Sequence, residues 1–133
     1  MRITAEVSPC RAHSCDRCCW RTRMTLTAAD VERLRAAGRR RFSRRNRDGI
    51  PQLVNHGGHC VFLVGGRCSV YEIRPEGCRL YPLILDLGTN QVERDDFCPW
   101  NGEFEFSAED QRRLRRSVAA EEREARTPRT GRR

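Results

Sequence analysis

Eight cysteines in a chain of 133 residues constrain this fold more than any other feature. Cys10, Cys15, Cys18 and Cys19 crowd into the first twenty residues, and Cys60, Cys68, Cys78 and Cys98 follow more widely spaced. The length suits one domain rather than two. Only 38% of the residues are hydrophobic, cysteines included, and 33% are charged. A small domain with so little apolar matter generally needs a staple, either disulfides or a metal.

The choice between the two turns first on compartment. The opening segment, MRITAEVSPCRAHSCDRCCW, holds no run of seven apolar residues, so no secretory signal is expected. No stretch is long and apolar enough to span a membrane, and the expected location is the cytoplasm. Thiols stay reduced there, which favours metal ligation over a disulfide framework. Spacing points the same way. Cys15-x-x-Cys18 is a knuckle whose thiolates suit zinc or iron–sulfur ligation. The adjacent pair Cys18-Cys19 departs from a plain zinc finger, because neighbouring side chains diverge and a vicinal disulfide is strained. That pair fits two nearby centres, a multinuclear cluster, or one ligand beside one packed thiol. His13, His56 and His59 lie close to cysteines in sequence and are secondary ligand candidates, more often turn or surface residues.

The rest of the chain reads as α+β: a small, irregular, metal-stapled domain with short hairpins and two or three helices. Thr27 with Asp30 forms a capping-box start, and Val31, Leu34 and Ala37 then fall on one helical face before Gly38. His59–Val64, the turn Gly65-Gly66 and Arg67–Tyr71 read as a hairpin. Pro75 suits the first turn of a short helix over Glu76–Tyr81. Leu83–Leu87 and Gln91–Arg94 form a second hairpin around Gly88-Thr89-Asn90. Ser107 with Asp110 opens a last helix whose thin apolar face carries Leu114 and Val118. The expected organisation is a cysteine-cluster metal-binding domain over residues 8–119 and a disordered Arg-rich tail over 120–133.

Cys15-x-x-Cys18-Cys19, Cys60-Val-Phe-Leu, Cys68-Ser-Val-Tyr-Glu-Ile-Arg-Pro-Glu-Gly-Cys78-Arg-Leu-Tyr-Pro and Cys98-Pro closely resemble the CxxCxxCC cysteine-cluster family, whose members are often labelled YkgJ-like zinc- or iron-chelating domains. The resemblance covers about residues 10–100, and Cys68–Pro82 is its most specific part. It implies a small α+β metal-binding domain, frequently labelled an iron–sulfur oxidoreductase, with Cys15, Cys18, Cys19, Cys60, Cys68, Cys78 and Cys98 as ligands. The family usually has a cysteine three residues before the second one. Here that position is Ala12, with Cys10 two residues earlier, either a substitute ligand through a longer loop or a free thiol.

The expected cofactor is an iron–sulfur cluster or Zn²⁺, with iron slightly favoured. Arg74 and Arg79 are placed to offset thiolate charge, with surface ion pairing to Glu72 or Glu76 as the plainer role. Trp20 is expected to act as a lid over the metal. The net charge of +8, carried by arginine without any lysine, allows an unknown protein or other anionic partner. Nucleic acid is a weaker candidate, since the basic tract Arg39–Arg47 contains only Phe42 as an aromatic and lies in no recognised motif. No nucleophile elbow, Walker loop, dinucleotide fingerprint or His-Glu-x-x-His occurs. A metal-holding module is therefore the leading function. Its alternatives are an iron–sulfur enzyme (an oxidoreductase, or a protein of the flagellin lysine methylase type, whose cysteine pattern is similar) and a zinc-scaffolded nucleic-acid-binding module.

Overall fold

In a computed structural model that describes residues 9–126, the chain builds four two-stranded antiparallel ladders and four helices, an α+β arrangement. A single turn, α1 (Pro9–Ala12), precedes a 3₁₀ turn at Arg17–Cys19 and helix α2 (Ala28–Ala36). Strand β1 (Ser43–Arg45) pairs with β2 (Pro51–Leu53), and β3 (Asn55–His56) with β4 (His59–Cys60). Next come β5 (Leu63–Val64) with β6 (Arg67–Cys68), a 3₁₀ turn at Tyr71–Ile73, and helix α3 (Glu76–Leu80). Strands β7 (Leu83–Asp86) and β8 (Gln91–Arg94) pair with Leu83 opposite Arg94, and α4 (Ala108–Arg126) follows.

The capping signals hold. Thr27 Oγ1 accepts the Asp30 amide at 3.0 Å, while the Asp30 carboxylate accepts the Thr27 amide at 3.0 Å. Ser107 and Asp110 make the same reciprocal pair ahead of α4. Asp30 does more than cap. It is 1% exposed, and its Oδ1 accepts Arg33 Nη2 at 2.8 Å and the Glu76 amide at 3.0 Å. One carboxylate thus joins the start of α2 to the start of α3.

The second hairpin matches expectation, with Gln91–Arg94 paired as predicted and Asp86 Oδ1 accepting the Gly88 amide in the turn. The first does not. The expected strand His59–Val64 divides between two ladders: His59 and Cys60 pair backwards with Asn55 and His56, and only Leu63 and Val64 meet Arg67 and Cys68. Two glycine turns explain the division. Gly57-Gly58 and Gly65-Gly66 all have positive φ, so each pair closes its own tight hairpin. Between them the Val61 amide donates to the Val54 carbonyl and the Phe62 amide to Cys60 Sγ. Tyr71, expected in the partner strand, lies in the 3₁₀ turn. Helix α4 also extends to Arg126, past position 120 where the tail was expected to begin; residues 127–133 lie outside the described ones.

Two small cores result. Leu26, Leu34, Phe42, Leu53, Cys60, Phe62 and Val70 form the first, with Cys19, Met24, Cys68 and Cys78 packed against it. Leu80, Leu83 and Leu114 form the second, flanked by Leu85, Val92, Phe106 and Val118, so the thin apolar face of α4 covers the β7–β8 ladder. A bidentate pair from Arg113 to Glu76, both contacts 2.8 Å, pins α4 to α3. Within α4, Glu121 is buried and its Oε1 accepts the Thr25 hydroxyl at 2.8 Å.

Two measurements test this framework. Asp30→Ala removes the carboxylate half of the capping box and leaves the Thr27 and Glu76 amides without their acceptor and Arg33 without its ion pair, and is expected to cost about 3 kcal/mol in denaturant unfolding. Burial raises the Glu121 carboxyl to about 7, against an ordinary value of 4.5. The folded chain then holds a proton that the unfolded chain has lost, so stability falls as pH rises through that interval. Glu121→Gln should raise the melting temperature relative to the parent at pH 8, by several degrees, and leave it nearly unchanged at pH 5.

Candidate metal centre

Three chain segments deliver the eight thiols, and specific contacts dock them together. The N-terminal segment bends back on itself: the Cys15 amide donates to the Cys10 carbonyl at 2.7 Å, and Ser14 takes a positive φ of 52°. The 3₁₀ turn then presents Cys18 and Cys19. Immediately after it, Trp20 bridges to His59 across a β-contact, and the Arg21 amide donates to the Gly58 carbonyl at 2.8 Å. These contacts bring the vicinal pair to the β3–β4 hairpin that carries Cys60. At its other end the segment meets the loop after β8. There the His13 ring stacks on Trp100 at 3.6 Å and His13 Nε2 lies 2.8 Å from Glu103 Oε1. That loop carries Cys98, whose amide donates to the Asp95 carbonyl, and Asp95 in turn accepts the Tyr81 hydroxyl.

All eight cysteines are free thiols. Thiol–thiol hydrogen bonds link Cys10 to Cys18 and Cys18 to Cys19. Electrostatic coupling extends the set in two directions. Cys98 feels Cys10 and Cys15, whereas Cys78 feels Cys18, Cys60 and Cys68. Cys18 belongs to both directions, since it also feels Cys15. The sequence-distant cysteines are therefore neighbours, and Cys10 joins them although it is displaced from the family position, which Ala12 occupies on the exposed side of α1.

As thiols these groups resist ionisation. The hydrogen bond to Cys18, followed by burial, drives Cys10 far above the ordinary thiol range. For Cys18 the hydrogen bond from Cys10 acts downward, but the bond to Cys19, burial and the charges of Cys19 and Cys15 outweigh it and push the thiol up to about 12. Burial raises Cys60, Cys78 and Cys98. Several thiolates cannot coexist here unless a cation compensates them, and a coordinating metal does so by displacing the protons. Among the described residues no three His, Cys, Asp or Glu side chains converge closely enough to hold an ion as they stand. The donor chemistry nevertheless suits a thiophilic metal; Arg74, whose Nε is buried without a hydrogen-bond partner, carries a charge that favours the ionised forms of Cys10 and Cys78.

Comparison with known families agrees with this donor set. A family model described as "CxxCxxCC: Putative zinc- or iron-chelating domain" matches residues 9–106. The chain belongs to this family. No curated protein and no solved structure matches it. The CxxCxxCC domain spans every cysteine of the chain, from α1 to the loop after β8.

Other candidate residues take different parts. The His13 ring is used against Trp100 and Glu103, His59 Nδ1 sits 3.0 Å from the Cys60 carbonyl, and His56 is exposed. Trp20 is 46% exposed and leans edge-on against His59, so it clamps the N-terminal segment to the hairpin rather than sealing a buried centre. Arg79 is exposed on α3, in contrast to Arg74. Within the basic tract, Arg39 covers the Phe62 ring and reaches the Ser69 carbonyl, and Arg45 pairs with Glu124. A cavity of about 480 Å³ between α2 and α4 is lined by no cysteine. Three of its arginines are ion-paired, Arg33 with Asp30, Arg113 with Glu76 and Arg116 with Glu109. No helix is long and apolar enough to cross a membrane among the described residues.

Sequence reasoning passed over Gly77. A Cβ there would stand 2.4 Å from Met24 Sδ, so the residue before Cys78 must lack a side chain for Met24 to reach the first core. Gly77→Ala is expected to destabilise the fold by about 1–3 kcal/mol. Met24→Ala in the same chain should recover part of that loss, and additive costs in chemical denaturation would show that the two residues do not compete for space.

Proposed function

We propose that this domain holds iron as an iron–sulfur cluster, with ligands drawn from Cys10, Cys15, Cys18, Cys19, Cys60, Cys68, Cys78 and Cys98. The observation that supports the reading is that all eight free cysteines, the vicinal pair Cys18-Cys19 among them, fall within the zinc- or iron-chelating family domain. Two independent four-thiolate zinc sites would divide eight cysteines into separate groups. A thiol that faces both directions, with Cys19 vicinal to it, suits a multinuclear centre better. An iron–sulfur cluster takes thiolate ligands, and when bound it supplies a redox couple tuned by hydrogen bonds to sulfur and by solvent exposure.

The chain's own contribution is to gather and shield. The stacked pair His13–Trp100 and the Trp20–His59 contact hold the N-terminal segment against the loop that carries Cys98 and the hairpin that carries Cys60. The burial of Cys60 and Cys98 keeps water from those sulfurs. A metal-holding module needs no further machinery.

Metal and acid-labile sulfide analysis of anaerobically purified protein tests the reading. Iron with a matching amount of sulfide, and visible absorption that bleaches on reduction, is the expected result. Zinc without sulfide in a colourless protein would overturn the iron–sulfur assignment and leave a zinc-chelating domain.

A further inference from the structure

We propose that the β1–β2 hairpin and its approach form a docking surface for the phosphate backbone of double-stranded nucleic acid, carried by Arg40, Arg41, Arg44 and Arg47. The inference involves no metal, so iron, zinc or neither in the purified protein leaves it standing.

Charge is concentrated on this part of the chain. Residues 39–55 hold six arginines and one carboxylate, Asp48, so most of the net charge of +8 falls here. Arg40, Arg41, Arg44, Arg45 and Arg47 are exposed, and of these only Arg45 meets a carboxylate among the described residues, that of Glu124 at 3.2 Å. Arg40 donates to the carbonyls of Arg35 and Arg39, which holds its side chain without neutralising it.

A basic run in an unstructured loop loses conformational freedom with each contact it makes. This run is ordered in advance. Phe42 is 2% exposed within the first core, its ring 5.7 Å from that of Phe62, and its carbonyl accepts the Val54 amide at 2.9 Å. Arg41 and Arg44 are therefore presented to solvent from a backbone anchored between them. In the ladder Arg44 stands opposite Gln52, and Thr25 bridges to Gln52 from the other side. At the turn Asn46 Oδ1 accepts the amides of Asp48 and Ile50, while its Nδ2 donates to Gln52 Oε1 at 3.2 Å.

The chemistry of the surface selects phosphate. Arg44, Arg45, Asn46, Gln52 and Asn55 line an open cavity of about 310 Å³ on this hairpin. Guanidinium forks match phosphate oxygens bidentately, and amide side chains donate to the same oxygens. A single strand would need aromatic faces on which its bases stack, and a protein partner an apolar or aromatic anchor. The hairpin offers neither, because Phe42 is buried and the exposed Trp20, Val64, Leu87 and Phe97 lie outside it. Contacts of this kind position a duplex without reading its sequence.

Fluorescence anisotropy of a labelled DNA duplex of about twenty base pairs, titrated with the full-length protein between about 50 and 200 mM NaCl, tests the proposal. The logarithm of affinity should fall linearly with the logarithm of salt, with a slope of about −3 to −4 for four phosphate contacts. Arg41→Gln and Arg44→Gln should each reduce the slope by about 1 and weaken binding about three- to tenfold at 0.1 M salt, equally for unrelated sequences. Arg112→Gln, an exposed change on α4, should match the parent. Parental melting temperatures of the hairpin variants would assign their losses to the surface rather than to folding. Absence of binding at the lowest salt overturns the proposal, and so does a parental slope in both hairpin variants. Tighter binding of the corresponding single strand, or equal competition by polyglutamate of matched charge, would overturn the assignment to duplex phosphate.

Discussion

Thiols that are half-buried beside one another repel when they ionise, and the remainder of the fold is arranged around that constraint. Cys60 is a member of the first core, while Cys19, Cys68 and Cys78 pack on its margin. The apolar surroundings that stabilise these side chains as thiols also make their thiolates costly. A divalent or multinuclear cation resolves both terms at once, because it replaces protons with a shared positive charge. Two small cores are modest for a chain of this length, and metal ligation by these thiols would add to them.

The polar framework separates the metal region from the remainder of the molecule. Asp30 gathers the amides of Thr27 and Glu76 and the Arg33 guanidinium, and Arg33 reaches on to the Arg74 carbonyl. Through these bonds the position of Arg74 is set by α2 and α3, elements that carry no cysteine other than Cys78. Helix α4 then locks α3 through the Arg113–Glu76 pair. The N-terminal cysteine segment is held by the ring contacts of His13 with Trp100 and Trp20 with His59 and by backbone contacts at Gly58 and His59. Among the described residues no three His, Cys, Asp or Glu side chains converge closely enough to hold an ion.

Local signals were legible in the sequence wherever neighbours along the chain decide the structure. Thr27 with Asp30, Ser107 with Asp110, Pro75 ahead of α3 and the Gly88-Thr89-Asn90 turn all act within a few residues, and each appears where expected. The cysteine pattern likewise carried the family resemblance, which the family model matches over residues 9–106. Legibility failed at His59–Val64, where an apolar run suggested one strand. Gly57-Gly58 and Gly65-Gly66 divide it, so that Cys60 pairs with Asn55 while Leu63 pairs with Cys68.

Sequence alone determined which chemistry is present: free thiols in number, a vicinal pair that a single tetrahedral ion cannot easily use, and no other recognisable catalytic motif. It also determined the helix starts, because capping is an interaction between residues three apart. Tertiary structure decided which of these groups meet. It folded Cys10 back against Cys18 despite the missing cysteine at Ala12, and it coupled Cys78 to Cys60 and Cys98 to Cys15. It also enclosed the Nε of Arg74 while leaving Arg79 exposed, and turned Trp20 from a lid into a clamp. The physical reason is common to all of these. Burial and charge coupling depend on distance in space, and for residues separated by tens of positions that distance exists only once the cores have packed.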